Sequence, residues 1–216
     1  MKQETSIRLE GESGFSSIAR DLHTQGYSIQ SAALPLSLCE ALFARLQAMQ
    51  DEKFEPAGIG RQQDYTQNEQ VRGDEICWIT GSSSAGEAWL DWTGQLQQYL
   101  NRHLFLGLFS FESHFAHYAP GAFYSKHVDA FRGESNRVLS LVLYLNKHWS
   151  KADGGELVLH TPDKNILRVA PEFGTLVTFL SEDFLHEVLP AWRDRYSIAG
   201  WYRVNTSTAQ RADPAE

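Results

Sequence analysis

His127 and Asp129 stand two residues apart, and along an extended strand positions i and i+2 project to the same side. An imidazole and a carboxylate at that spacing can grip one metal ion. The pattern alone carries little weight, because 8 histidines and 11 aspartates in 216 residues give roughly 0.4 such pairs by chance. Company gives it meaning. Two histidines and one carboxylate on one face of a metal leave the opposite positions open, an arrangement that suits non-heme iron. His186, 59 residues downstream at the start of another expected strand, is the best third ligand.

The other histidines fit less well. His114 and His117 are three apart, which suits a helix, but in the expected strand 109–118 they turn to opposite faces. His23, His103, His148 and His160 have no carboxylate at a useful spacing. Arg195 stands nine residues after His186, on a strand that continues beside the same cavity, and a buried guanidinium can hold a carboxylate through two parallel hydrogen bonds. Taken alone, Arg195 with Arg193 and Asp194 beside it reads more readily as surface, and its position relative to His186 shifts that balance.

These residues need a scaffold. With 216 residues, 42% of them hydrophobic and 12% aromatic, the chain can bury one sizeable core, and the body is expected to be ordered. A single domain over 1–216 is expected: helices, early strands and a loop over 1–108, a β core over 109–204 and a flexible tail over 205–216. A net charge of −8 opposes a phosphate backbone unless the basic residues gather on one face. Cys39 and Cys77 form no CxxC motif, which leaves neither a disulfide framework nor a thiolate zinc site. With no secretory core at the start and no long apolar run, a cytoplasmic, non-membrane protein is expected.

Apolar spacing predicts a short helix from Ser13 to Leu22 and a brief strand over 27–29. It predicts a second helix with Leu38, Ala41, Leu42, Leu46 and Met49 inward, and a third over 88–105. The polar stretch 60–75 reads as a long loop before an apolar strand over 76–79. After Phe109 the texture becomes β: strands are expected near 109–118, 137–145, 155–160, 165–170, 174–180 and 195–204, separated by turn residues. That spacing suits a sandwich or jelly roll rather than βαβ units.

Beyond these local readings, the runs VRGDEICWI (71–79), HYAPGAFYSKHVDA (117–130), RVLSLVLYLNKHW (137–149), DGGELVLH (153–160) and HEVLPAWRDRYSIAGWY (186–202) occur in one order. Together they resemble the iron and 2-oxoglutarate-dependent dioxygenases, within them the hypoxia-inducible-factor type of prolyl hydroxylase, and most of all its compact bacterial members. The resemblance covers most of residues 71–204. Departures fall in the loops 119–123 and 130–136 and at Lys126, Ala199 and Gly200, and they bear on substrate choice rather than chemistry.

The resemblance implies a mainly β fold with supporting helices: a double-stranded β-helix, or distorted jelly roll, with N-terminal helices packed on it. It implies Fe(II) held by His127, Asp129 and His186, with Arg195 and Tyr144 on the distal carboxylate of 2-oxoglutarate. Leu157 would wall that pocket and Tyr118 would contact the cosubstrate near the metal. Tyr124, Arg137, Trp78 and Trp201 would surround a prolyl or peptide site, although core packing explains the two tryptophans equally well. Arg72 and Asp74 are expected to pair at the base of a lid over Gly60–Val71, as support rather than catalysis. The implied reaction consumes O2 and 2-oxoglutarate, gives succinate and CO2, and can use ascorbate as reductant. The implied partner is a protein with an exposed proline loop, a translation factor such as elongation factor Tu by family analogy. Two alternatives remain: a hydroxylase of free amino acids or small metabolites on the same core, and a non-catalytic jelly-roll binding module.

Overall fold

The computed structural model describes residues 2–49, 54–57, 72–130 and 136–205, with side chains from Gly14 onward. In chain order the elements are α1 (Lys2–Gln25), β1 (Tyr27–Gln30), α2 (Leu36–Ala48), β2 (Glu55–Pro56), β3 (Asp74–Trp78) and α3 (Ser84–Leu104). The β half follows with β4 (Leu108–Tyr118), β5 (Tyr124–His127), β6 (Arg137–Tyr144), β7 (Leu157–His160), β8 (Ile166–Val169), β9 (Leu176–Leu180), β10 (Leu185–Val188) and β11 (Arg195–Val204). A seven-stranded sheet runs β1-β9-β6-β11-β4-β3-β2, and a four-stranded sheet runs β5-β10-β7-β8. Every pairing between these strands is antiparallel. The crossovers between sheets make a jelly-roll core, with the helices on the outer face of the larger sheet.

Strand alternation decides what each face carries. On β6, Leu139, Leu141 and Leu143 pack with the helices in one core, whereas Val142 and Tyr144 belong to a second core between the sheets. On β11, Ile198 and Tyr202 join the helix-side core, while Arg195, Ser197, Ala199 and Trp201 line an inner cleft. On β4, Phe115 faces the helices while His114, Ala116 and Tyr118 line the cleft. The period of two thus separates a structural face from a chemical one.

The helices cover the structural face with stripes at steps of three and four. In α3, Trp89, Trp92, Leu96 and Leu100 are buried, and full burial of such a side chain contributes about 2 kcal/mol. The Trp89 indole also donates to Ser113 Oγ at 3.0 Å, tying the helix to β4. The helix starts at Ser84, four residues before the expected point, because Ser83 caps it by accepting from Gly86 N. It ends on Phe105 at φ 55. In α2, Cys39 rather than Ala41 joins Leu38, Leu42 and Leu46 on the buried stripe.

Helix α1 is longer than expected: it begins at Lys2 and runs through Ser13. The preceding residues include Gln, Glu, Arg and Leu, which favour continued helix. No described helix is long and apolar enough to cross a membrane. The proposed lid over Gly60–Val71 falls outside the described residues, as do 131–135 in the loop after Asp129 and 206–216 of the tail.

Candidate active site

The turn after β4 and its short successor β5 deliver His127 and Asp129, and β10 delivers His186. His127 and His186 are register partners across the β5–β10 ladder, so two ligands far apart in sequence become neighbours by strand pairing. His127 Nε2 lies 3.7 Å from Asp129 Oδ1, and His186 Nε2 lies 3.7 Å from Asp129 Oδ2. The three ligand atoms fall within 4.8 Å of one another, and this is the one such group among the described residues.

Each imidazole is oriented through its other nitrogen. His127 Nδ1 sits 2.7 Å from the Ser125 carbonyl and His186 Nδ1 3.0 Å from the Phe184 carbonyl. Carbonyls only accept, so each Nδ1 carries the proton and each Nε2 keeps its lone pair for a metal. Burial, then the neighbouring His186, lowers His127 to about 4, which keeps it neutral at ordinary pH. Burial pushes the Asp129 carboxyl upward, but His186, His127, Ser140 and Trp201 outweigh it and hold the group below its ordinary value. Two imidazoles that turn Nε2 inward and one carboxylate therefore converge, the donor set that fits Fe(II).

Arg195 opens β11 deeper in the same cleft and is 1% exposed. Its Nε donates to the Gly155 carbonyl at 2.9 Å, and its Nη1 reaches Ser197 Oγ at 3.4 Å. No acidic side chain among the described residues pairs with it, although a buried cation is costly without an anion. The rings of Tyr118 and Tyr144 flank the guanidinium at 5.0 and 5.1 Å. By distance and angle the buried Tyr144 hydroxyl has no hydrogen-bond partner, although Arg195 stands close enough to pull against the rise that burial gives its phenol. Burial pushes that phenol up to about 12 and raises Tyr118 as well, so both remain protonated donors. Leu157, 2% exposed, supplies an apolar wall. An unpaired guanidinium, a phenol with nothing to donate to and a nearby metal triad fit a dicarboxylate that reaches from metal to cation.

The cleft, about 520 Å3 of empty space when its open mouth is included, continues past the triad to Tyr124 and Trp201. Tyr124 stacks on His127, with ring centres 3.6 Å apart and planes 19° apart. Arg137 stacks on Trp201 at 3.8 Å and donates to Glu112 Oε1 at 3.0 Å. Arg137 and Trp78 do not themselves line this cleft. Trp78 is 52% exposed and meets the cleft only through His114, whose ring it touches edge-on. Arg72 and Asp74 make the expected pair, through two hydrogen bonds of 2.6 and 2.9 Å, and both also line the cleft. Arg72 lies over the Tyr124 ring at 4.8 Å, so the pair buttresses the tyrosine that covers His127.

Ser140 is a cleft residue that motif reading passes over, and His114 is one that it sets aside as a ligand. Ser140 was detectable as the lone serine in the apolar run RVLSLVLYL, two places before Val142 on the inward face. His114 was detectable by parity with Tyr118.

Comparison with known proteins agrees with this geometry. Residues 113–203 match the family described as the 2OG-Fe(II) oxygenase superfamily. Egl nine homolog 1 of Homo sapiens is 32% identical over 145 residues, covering 61% of this chain and 33% of that protein. Prolyl hydroxylase EGLN3 of Homo sapiens is 32% identical over 141 residues, covering 61% of this chain and 59% of that protein. The chain thus matches about a third to three fifths of the length of these curated relatives. Among solved structures, a Pseudomonas putida prolyl-4-hydroxylase is 42% identical with a TM-score of 0.81, over 88% of this chain and 98% of that one. A prolyl hydroxylase from Trichoplax adhaerens, in complex with a hypoxia inducible factor oxygen degradation domain peptide fragment, is 25% identical with a TM-score of 0.82, over 92% of each chain.

Proposed function

Because the chain belongs to the 2OG-Fe(II) oxygenase superfamily, we propose that it hydroxylates a prolyl residue in a protein substrate, using Fe(II), 2-oxoglutarate and O2 and releasing succinate and CO2. The observation that carries this reading is one cleft holding both the His127, Asp129 and His186 group and a buried Arg195 with no acidic partner among the described residues. When bound, the iron and 2-oxoglutarate would supply the oxygen-activating chemistry.

The protein's own contribution is placement. His127, Asp129 and His186 would hold the metal, each fixed by a hydrogen bond of its own. Arg195 and Tyr144 would grip the distal carboxylate, with Leu157 excluding water beside it and Tyr118 meeting the cosubstrate nearer the metal. Fixing the remote end of a small molecule orients its reacting end, which is where such enzymes gain rate. Tyr124 and Trp201, steadied by Arg72 and Arg137 respectively, would form the aromatic walls of a prolyl site.

The prolyl substrate is supported by 42% identity to a prolyl-4-hydroxylase across nearly all of that chain. The net charge of −8 favours a protein over a nucleic-acid partner. A translation factor such as elongation factor Tu, acting in the cytoplasm, is the first candidate to assay, with ascorbate as external reductant.

Two measurements test this. Anaerobic protein given Fe(II) and 2-oxoglutarate develops a weak visible charge-transfer band that His127→Ala abolishes; its absence from wild type overturns the dioxygenase reading. Incubation with cell lysate followed by mass spectrometry finds one added oxygen on a prolyl residue. Hydroxylation of free proline or another metabolite, with none on protein, overturns the protein substrate alone.

A further inference from the structure

Asp129 differs from the two histidine ligands in what holds it. Ser140 Oγ lies 2.6 Å from Asp129 Oδ2, and Ser181 Oγ lies 2.9 Å from Ser140 Oγ. Both serines are essentially closed to solvent, at 1% and 0% exposure. The chemistry of the carboxylate fixes the direction of this chain. An ionised carboxylate only accepts, so Ser140 must donate to Asp129; its single proton is then committed, and Ser181 must donate to Ser140. The backbone anchors the far end, since Ser181 N donates to the Val138 carbonyl at 3.0 Å.

We propose that Ser140, backed by Ser181, is a positioning residue that sets how Asp129 presents its carboxylate: it occupies Oδ2 and leaves Oδ1 as the metal-binding atom. The hydroxyl opposes rotation of the carboxylate about its last bond. Without it, both oxygens are available to one ion, and the second would take a position that an open site must keep for exogenous ligands. Hydrogen bonds in series in a low-dielectric interior strengthen one another, so the buried pair holds better than one surface hydroxyl would. Ser140 sits on β6 and Ser181 just beyond β9, strands paired as Ser140↔Phe179 in the larger sheet. The relay therefore runs from the larger sheet to a ligand in the loop after β5, which belongs to the smaller one.

This inference rests on the metal-centre reading but not on the prolyl substrate, and its test needs no turnover. Metal-free wild type, Ser140→Ala, Ser140→Thr and Ser181→Ala are titrated with Mn(II) and followed by electron paramagnetic resonance, with Co(II) absorption reporting coordination and thermal unfolding reporting the fold. Groups that orient metal ligands change metal affinity by about 10- to 100-fold. The expected result is at least a tenfold loss of Mn(II) affinity and an altered Co(II) band in Ser140→Ala, recovery to within about threefold in Ser140→Thr, and an intermediate loss in Ser181→Ala. Ser140→Ala with wild-type affinity and spectrum overturns the relay alone. So does Ser140→Thr as impaired as Ser140→Ala while both remain folded. Wild type that binds no Mn(II) overturns the metal centre and the relay with it.

Discussion

Arg195→Met separates binding from folding at one position. In the protein as it stands, the guanidinium is buried without an acidic partner and makes one good hydrogen bond, to the Gly155 carbonyl. Methionine removes that bond, at about 1–2 kcal/mol, and relieves a buried cation at a gain of similar size. Stability is therefore expected to change by less than about 2 kcal/mol. Binding of 2-oxoglutarate has no such offset. Two charge-assisted hydrogen bonds to a carboxylate contribute about 3–5 kcal/mol together, so Kd rises roughly 100- to 4000-fold. Arg195→Lys keeps the charge but not the fork, and is expected to lose tenfold or more. The assay is anaerobic calorimetric titration of 2-oxoglutarate into Mn(II)-loaded protein, beside thermal unfolding without ligand. Wild-type affinity in Arg195→Met refutes the clamp. Failure of that variant to fold refutes the argument that the cation awaits an external anion.

Two further outcomes follow from buried groups. His114 is held neutral, lowered from 6.5 to about 4 chiefly by burial. Unfolded chain gains this proton below about 6.5 and folded chain only below about 4, so the protein loses up to about 3 kcal/mol as pH falls through that window. Chemical denaturation of His114→Gln between those pH values should show a shallower slope; an unchanged slope removes His114 from the account. Gly155, at φ 69, has no room for a methyl group: a Cβ there meets Ala191 Cβ at 2.9 Å and Arg195 Cδ at 3.2 Å. Gly155→Ala should cost about 2 kcal/mol, lower Tm by about 4–8 °C and weaken 2-oxoglutarate binding, whereas Gly94→Ala, with open space around it, should not destabilise. Equal melting of the two variants contradicts the packing argument.

The strands β4, β6 and β11 were legible in the sequence because runs of 11, 8 and 10 residues, rich in β-branched and aromatic residues and bounded by turn signals, are long enough to be seen. The ligand strands were less so. Tyr124–His127 is four residues with no apolar alternation, held by its ladder with β10 and the Arg72–Tyr124 bridge, and such tertiary support leaves no local trace. His127, Asp129, His186 and Arg195 were found by spacing and residue type, which the metal and the anion dictate directly. Ser140 and His114 were not, because one hydroxyl or imidazole in an apolar strand becomes meaningful only once its facing partner is known. Trp78 shows the converse: its motif drew attention, and it shares the face of Asp74 and Ile76, but as the last residue of β3 it stands 52% exposed beyond the cleft, against the His114 ring.

The cross-strand pairing of His127 with His186 also bears on how the chain is tied together. An ion shared by these residues would close a loop of 59 residues, and a covalent bridge over that span restricts the unfolded chain by about 4 kcal/mol. Cys39 and Cys77 form no disulfide, so they supply no such tie. Iron would thus act as a removable cross-link, making the durability of the fold follow metal supply instead of the oxidising power of its surroundings.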